Sequence, residues 1–247
     1  MLVEICANSL RSARNAEQAG ADRIELCSEL GVGGVTPSHG LIGKALETLR
    51  IPVFVLIRPR SGDFCYDDDE FAIMKEDIAY CKEIGCAGIV SGVLTPANIL
   101  DAARTRALVE LSHPMEFTFH RAFDLVKDPL ETLKLLEEAG ADRVLTSGQQ
   151  PDAEAGLPLL TRLRSLCGNR PRLMPGGGIG VHNIRRFAEA GFPEVHFSAT
   201  TLYPSPAGKP GLEMNSPRFL DEAVIPASDP GKIAEVLRAL SGDDRDR

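Results

Sequence analysis

The chain lacks an apolar run long enough for a membrane. Its longest unbroken stretch, Ile51–Ile57, holds seven residues, against the roughly 20 that a helix needs to cross a bilayer. It opens on Met1–Leu2–Val3–Glu4, with no basic n-region and no long apolar h-region, so no export signal is expected. A surplus of positive charge is also missing. Lys and Arg number 27 against 35 Asp and Glu, a net charge of −8, which disfavours a nucleic-acid binder that would need a basic face. The six cysteines show no CxxC or Cys/His zinc spacing, so without export they read as thiols rather than as disulfides or a structural zinc site. What is present is ordinary: 43% hydrophobic and 25% charged residues over 247 positions, enough to bury about three quarters of the unfolded surface without covalent support. These features predict a soluble, cytoplasmic single domain with no membrane or nucleic-acid partner.

Self-similarity decides the architecture. The segments EQAGADRIELCS (17–28), KEIGCAGIVSGV (82–93), EEAGADRVLTSG (137–148) and AEAGFPEVHFSA (188–199) align. Each closes a helical pattern on a glycine, Gly20, Gly85, Gly140 or Gly191, the residue that takes a left-handed cap without a Cβ penalty. A short apolar strand follows each. Four further strands are expected at Leu2–Cys6, Val53–Arg58, Glu116–Arg121 and Arg172–Gly176. Helices are predicted over roughly 10–19, 38–49, 67–84, 97–111, 129–139, 155–167, 181–190 and 229–240, with Pro96, Pro129 and Pro230 marking first turns. Eight βα units of this length predict a closed (β/α)8 barrel over residues 1–240. A doubly wound sheet would want a glycine fingerprint after Leu2–Cys6, and none is there. Six prolines between Tyr203 and Pro230 predict a long loop over 203–230, able to fold over the barrel mouth. The charged end, 241–247, reads as a disordered tail.

Strand parity then sorts side chains. With Val3, Ile5, Ile24, Leu26, Val55, Ile57, Phe117, Phe119, Val195 and Phe197 packed against the helices, the alternating positions turn inward. The interior therefore receives Glu4, Cys6, Glu25, Cys27, Arg58, His120, His196 and Ser198. Charges inside a barrel must pair or meet a ligand. The set Glu4, Glu25, Arg58, His120 and His196 reads as a catalytic site at the carboxyl ends of the strands, or as a buried Glu–Arg–Glu network that fixes the barrel. Arg23 and Arg143, at strand beginnings, read as structural ion pairs. Gly176, Gly177 and Gly178 after the seventh strand offer backbone N–H groups to a phosphate or carboxylate, or simply make a tight turn. The loop Ile57–Tyr66, with Arg58 and Arg60, reads as an anion-holding mouth, or as a capping network around Asp63. Cys6 and Cys27 face inward on neighbouring strands. Their thiols suit a soft ion such as Cu(I), or are core thiols.

The stretches VEICANS (3–9), GADRIELCSELGVGGVTPS (20–38), IPVFVLIRPRSGDFCYDDDE (51–70), FTFHRAFD (117–124), DRVLTSG (142–148), MPGGGI (174–179) and EVHFSA (194–199) together resemble the CutC family, named for copper homeostasis. The resemblance implies a (β/α)8-type barrel, a cytoplasmic location, a homo-oligomer (dimer or higher) and Cu(I) binding at the two thiols matched here by Cys6 and Cys27. The remaining interior residues suggest a different class: an enzyme using Glu4, Glu25, Arg58, His120 and His196 for acid/base chemistry on a small anionic metabolite. Arg60, Ser198 and the Gly176–Gly178 backbone would then help to hold its phosphate or carboxylate.

Overall fold

Glycine at the end of each repeat does what its chemistry allows. Gly20, Gly85, Gly140 and Gly191 all take positive φ, turning the chain from helix into strand. A computed structural model describes residues 1–168, 170–208, 211 and 223–241. The strands are β1 (Leu2–Ala7), β2 (Arg23–Leu26), β3 (Val53–Leu56), β4 (Gly88–Ser91), β5 (Glu116–Phe119), β6 (Arg143–Thr146), β7 (Arg172–Pro175) and β8 (Glu194–Phe197). They form one parallel sheet in the order β7-β6-β5-β4-β3-β2-β1-β8. The two outer strands meet at a parallel bridge between Gly176 and His196, so the sheet curls into a nearly closed barrel. The helices are α1 (Leu10–Gln18), α2 (His39–Thr48), α3 (Asp68–Glu83), α4 (Ala102–Ser112), α5 (Pro129–Ala139), α6 (Leu157–Leu166), α7 (Ile184–Glu189) and α8 (Pro230–Ser241). One follows each strand, which is the (β/α)8 arrangement that the repeats predict.

Local chemistry sets the helix starts. Asp128 accepts hydrogen bonds from the Leu130 and Glu131 amides, both 3.0 Å, ahead of Pro129. Asp229 accepts from Gly231 at 2.8 Å, one residue past Pro230. Pro96 is different. Helix α4 begins at Ala102 behind an Asp101 cap, and Pro96 lies in a loop pinned by a Leu94–Leu100 bridge. The helix expected over 181–190 shortens to Ile184–Glu189, because Asn183 folds its side chain back to accept the Gly180 N–H at 3.0 Å.

The stretch after β8 is also not one long loop. β9 (Thr200–Pro204) and β10 (Val224–Ser228) form an antiparallel ribbon, with Pro226 opposite Leu202. A two-stranded ribbon tolerates proline on its free edges. The ribbon docks on the first unit through Asn8 Nδ2 to the Pro226 carbonyl at 3.1 Å and Asn15 Nδ2 to the Ser228 carbonyl at 2.9 Å. Of the tail expected over 241–247, Ser241 closes helix α8 instead, and 242–247 lie outside the described residues.

Two cores result from strand parity. Val3, Ile5, Ile24, Leu26, Val55, Ile57, Phe117, Phe119, Val195 and Phe197 join the large apolar core that includes the helix faces. Cys6, Cys27, Phe54, Leu56 and Val90 form a separate small cluster inside the barrel, with Leu30 against it.

Candidate functional site

The amino-end half of the interior is an ion-pair layer. Arg23 Nε bonds Glu4 Oε2, and its Nη2 reaches Glu194 Oε2 at 2.8 Å. Arg143 Nε also bonds Glu194, while Nη2 reaches Glu116 at 2.8 Å and Nη1 donates to Thr118 Oγ1 at 3.1 Å. The Phe54 ring lies 4.6 Å from the Arg23 guanidinium and 5.2 Å from that of Arg143. Arg23 and Arg143 thus fix the barrel floor. Glu194 is their common acceptor and was not singled out by the sequence. Its signal is parity, because it stands two residues before the inward His196 on β8.

Above this floor stand three titratable groups. Register places Glu4 beside both Arg23 and His196, and Glu25 beside Cys6. His196 Nδ1 contacts Glu4 Oε1 at 2.8 Å and lies 3.7 Å from Glu25 Oε2. Burial would push the Glu4 carboxyl up, but the Arg23 charge, the His196 hydrogen bond and the Arg143 charge hold it at about 2. Burial raises Glu25 to about 7; the neighbouring Glu4 charge adds to the rise, while His196 and Arg23 oppose it. For His196, burial acts downward, yet the Glu25 and Glu4 carboxylates outweigh it and leave the ring raised. Glu4 therefore engages Nδ1 as an anion, while burial holds the Glu25 carboxyl well above the usual carboxylate range.

The Cys6 and Cys27 sulfurs lie 3.7 Å apart. Cys27 is fully buried under Phe54, Leu56 and Val90, whereas Cys6 borders the cavity. The Cys27 hydrogen bond, burial and nearby negative charge raise the Cys6 thiol. Two adjacent soft donors in an apolar cage fit Cu(I). Cys6 has a second set of neighbours as well: ligand atoms of Cys6, Glu25 and His196 all lie within 4.8 Å of one another.

A cavity of about 650 Å³ opens at the carboxyl ends of the strands. Cys6, Glu25, Arg58, His120 and His196 border it, as do Gly177, Gly178 and Ser198. Glu4 lies beneath, fully buried. His120 accepts the Ala122 N–H on Nδ1 at 3.2 Å and packs against Phe64, with ring centroids 4.7 Å apart. Burial and the Arg58 charge push it down to about 3, so its ring is neutral. Arg58 donates Nη1 to the carbonyls of Val32 at 3.0 Å and Gly34 at 2.8 Å, and Nη2 to Gly62 at 2.7 Å. It thereby ties the loops after β2 and β3 together.

Arg60 turns away from the cavity. It bonds Glu70, which closes the α3 capping box with Asp67, and reaches Asp63 at 3.1 Å. Of the two readings of the mouth loop, the capping network describes Arg60. Gly176 is part of the barrel seam through its bridge to His196 on β8, and its N–H donates to the Thr146 carbonyl on β6 at 3.0 Å. A Cβ there would collide with Leu145.

Comparison with known proteins places these features in a group. The model of the CutC family matches residues 1–201. A CutC protein of Photorhabdus laumondii is 42% identical over 240 residues, covering 96% of each chain. One of Edwardsiella ictaluri is 46% identical over 205 residues, covering 83% of this chain and 81% of its own. Among solved structures, a CutC protein of Streptococcus agalactiae, described as a copper homeostasis candidate, superposes with a TM-score of 0.76. It is 33% identical and covers 80% of this chain and 98% of its own. A phosphoribosylanthranilate isomerase of Pyrococcus furiosus shares the fold alone, at a TM-score of 0.54 and 18% identity, covering 98% of this chain and 99% of its own. Among the described residues no helix is long and apolar enough to cross a membrane.

Proposed function

The chain belongs to the CutC family, and from that premise we propose that it is a barrel enzyme moving a proton on a small anionic metabolite. One observation carries the reading: Glu25, His196, His120 and Arg58, from four different strand ends, border a single cavity. Glu25 and His196 are the proton-transfer pair, because a group that titrates near the working pH is the efficient acid or base. Glu4 is a positioning residue that fixes the His196 ring through Nδ1. The backbone of Gly177 and Gly178, with Ser198, provides a second contact for the anion. The arrangement suits proton abstraction, isomerisation or aldol-type chemistry.

The test is a thermal-shift screen of carboxylate and phosphate metabolites, followed by solvent deuterium uptake into any compound that stabilises the protein. Exchange lost in Glu25→Gln supports the reading, and exchange unchanged in that variant removes it.

A second reading has its own observation, the 3.7 Å separation of the Cys6 and Cys27 sulfurs. It makes Cu(I) the cargo, taken up through Cys6 from the cavity and held between the two thiolates, as the family's name suggests. The family resemblance implies a cytoplasmic homo-oligomer under either reading. A solution mass matching one 26.6 kDa chain would remove the oligomer.

A further inference from the structure

Folded proteins pair nearly all of their buried polar atoms, with protein or water. Among the described residues, seven buried side-chain atoms lack a hydrogen-bond partner, with Tyr66 Oη beside Arg58 one of them. Four of the seven, Glu25 Oε2, Arg58 Nε, His120 Nε2 and Thr200 Oγ1, belong to residues bordering the same cavity. Such a concentration at one place marks where a ligand supplies the missing partners.

The chemistry of these atoms is specific. Arg58 Nε carries a hydrogen at any physiological pH. His120 Nδ1 is occupied by the Ala122 N–H at 3.2 Å, which places the single ring proton of a neutral imidazole on Nε2. Both orphan nitrogens are therefore donors. Arg58 is 5% exposed and His120 6%, and the Phe64 ring packs against both, 4.9 Å from the guanidinium carbon and 4.7 Å from the imidazole centroid. The other guanidinium nitrogens are taken by neutral carbonyls. Arg58 thus brings one positive charge with no ion pair among the described residues.

We propose that Arg58 Nε–H and His120 Nε2–H form a two-donor subsite for the carboxylate of a short oxo- or hydroxycarboxylic acid, uncovered when the Phe64 ring turns aside. This rests on the reading of the cavity as an organic-anion site and names its substrate class. One charge and two donors match a carboxylate, which has two oxygens and one negative charge. A phosphate dianion would need more of both. Glu25 Oε2 and Thr200 Oγ1 are then left for the hydroxyl or enolisable end of the same molecule. In this arrangement His120 serves as a hydrogen-bond donor and not as the acid or base of the reaction.

The experiment uses the full chain labelled with 15N-histidine, titrated separately with pyruvate, lactate, lactamide and inorganic phosphate. Pyruvate or lactate should shift the His120 Nε2 resonance saturably, and lactamide and phosphate should not. His120→Phe should weaken carboxylate binding about tenfold or more, the cost of losing a hydrogen bond to a charged group. Three results overturn the subsite: no saturable His120 shift with either carboxylate, an equal shift with phosphate, or carboxylate affinity unchanged in His120→Phe. The wild-type titration decides the matter even if that variant folds poorly. Carboxylate binding at His120 without any deuterium exchange would sink the proton-transfer reading and leave the subsite standing. Exchange that persists at full rate in His120→Phe would sink the subsite alone.

Discussion

Glu4 and Glu25 face the same ring nitrogen of His196, at 2.8 and 3.7 Å, yet their surroundings push their acidities apart. Glu4 sits at about 2 and Glu25 at about 7. Register explains the difference. Glu4 pairs across to Arg23, in the ion layer of the barrel floor, whereas Glu25 pairs across to Cys6, at the cavity. Two carboxylates separated in this way are suited, under the proposed function, to two roles, one as an anion and one as an exchangeable acid.

Their replacements should therefore differ in sign. Glu4→Gln removes one of the two carboxylate partners of a buried Arg23, Glu194 remaining, and is expected to cost about 1–3 kcal/mol, as for a weakened buried hydrogen bond. Glu25→Gln removes a carboxylate that burial already opposes. Above pH 7 it is expected to be neutral or stabilising. Urea unfolding of both variants at pH 8 checks this, and a large loss in Glu25→Gln would show that its carboxylate is structural.

The pH dependence of stability follows from the same groups. Glu25 has an ordinary value of 4.5 and is raised in the fold to about 7. The folded state thus binds the proton more tightly, and stability falls as pH rises between those values. His196 is also raised and adds to the fall as pH passes through its folded value. Glu4 acts oppositely, since its contribution is lost as pH drops from 4.5 toward about 2. Denaturant unfolding across about pH 5 to 8 should show declining stability in the parent and a smaller decline in Glu25→Gln.

Cu(I) binding, measured anaerobically by competition with a chromophoric chelator, should be stoichiometric and should disappear in the Cys6→Ser/Cys27→Ser protein while the circular dichroism stays unchanged. Because binding displaces thiol protons, affinity should rise with pH. Parent-like binding by the double variant would place copper elsewhere.

Gly176→Ala tests the barrel seam. Its Cβ would meet Leu145 Cδ1 head-on and lie 3.4 Å from the His196 Cβ. A loss of about 1–3 kcal/mol is expected from overpacking. A melting temperature equal to the parent's would show that the β7–β8 junction yields freely.

The sequence alone determined the barrel and its inner face. Repeats ending in Gly20, Gly85, Gly140 and Gly191 locate helix-to-strand turns, because few other residues take positive φ. Period-two alternation puts Glu4, Glu25 and His196 inside, because a strand has only two faces. Both signals are local and survive without coordinates. Tertiary structure decided what those side chains meet. Arg58 bonds the Val32 and Gly34 carbonyls and Arg60 turns to Glu70, because loops distant in sequence converge at the mouth. Cys27 is shut away because β3 supplies Phe54 and Leu56 beside it, while Cys6 borders the cavity. The separation of Glu4 from Glu25 depends on which carboxylate lies nearer Arg23. Charge interactions fall with distance through space and not along the chain, so only the folded barrel could set them.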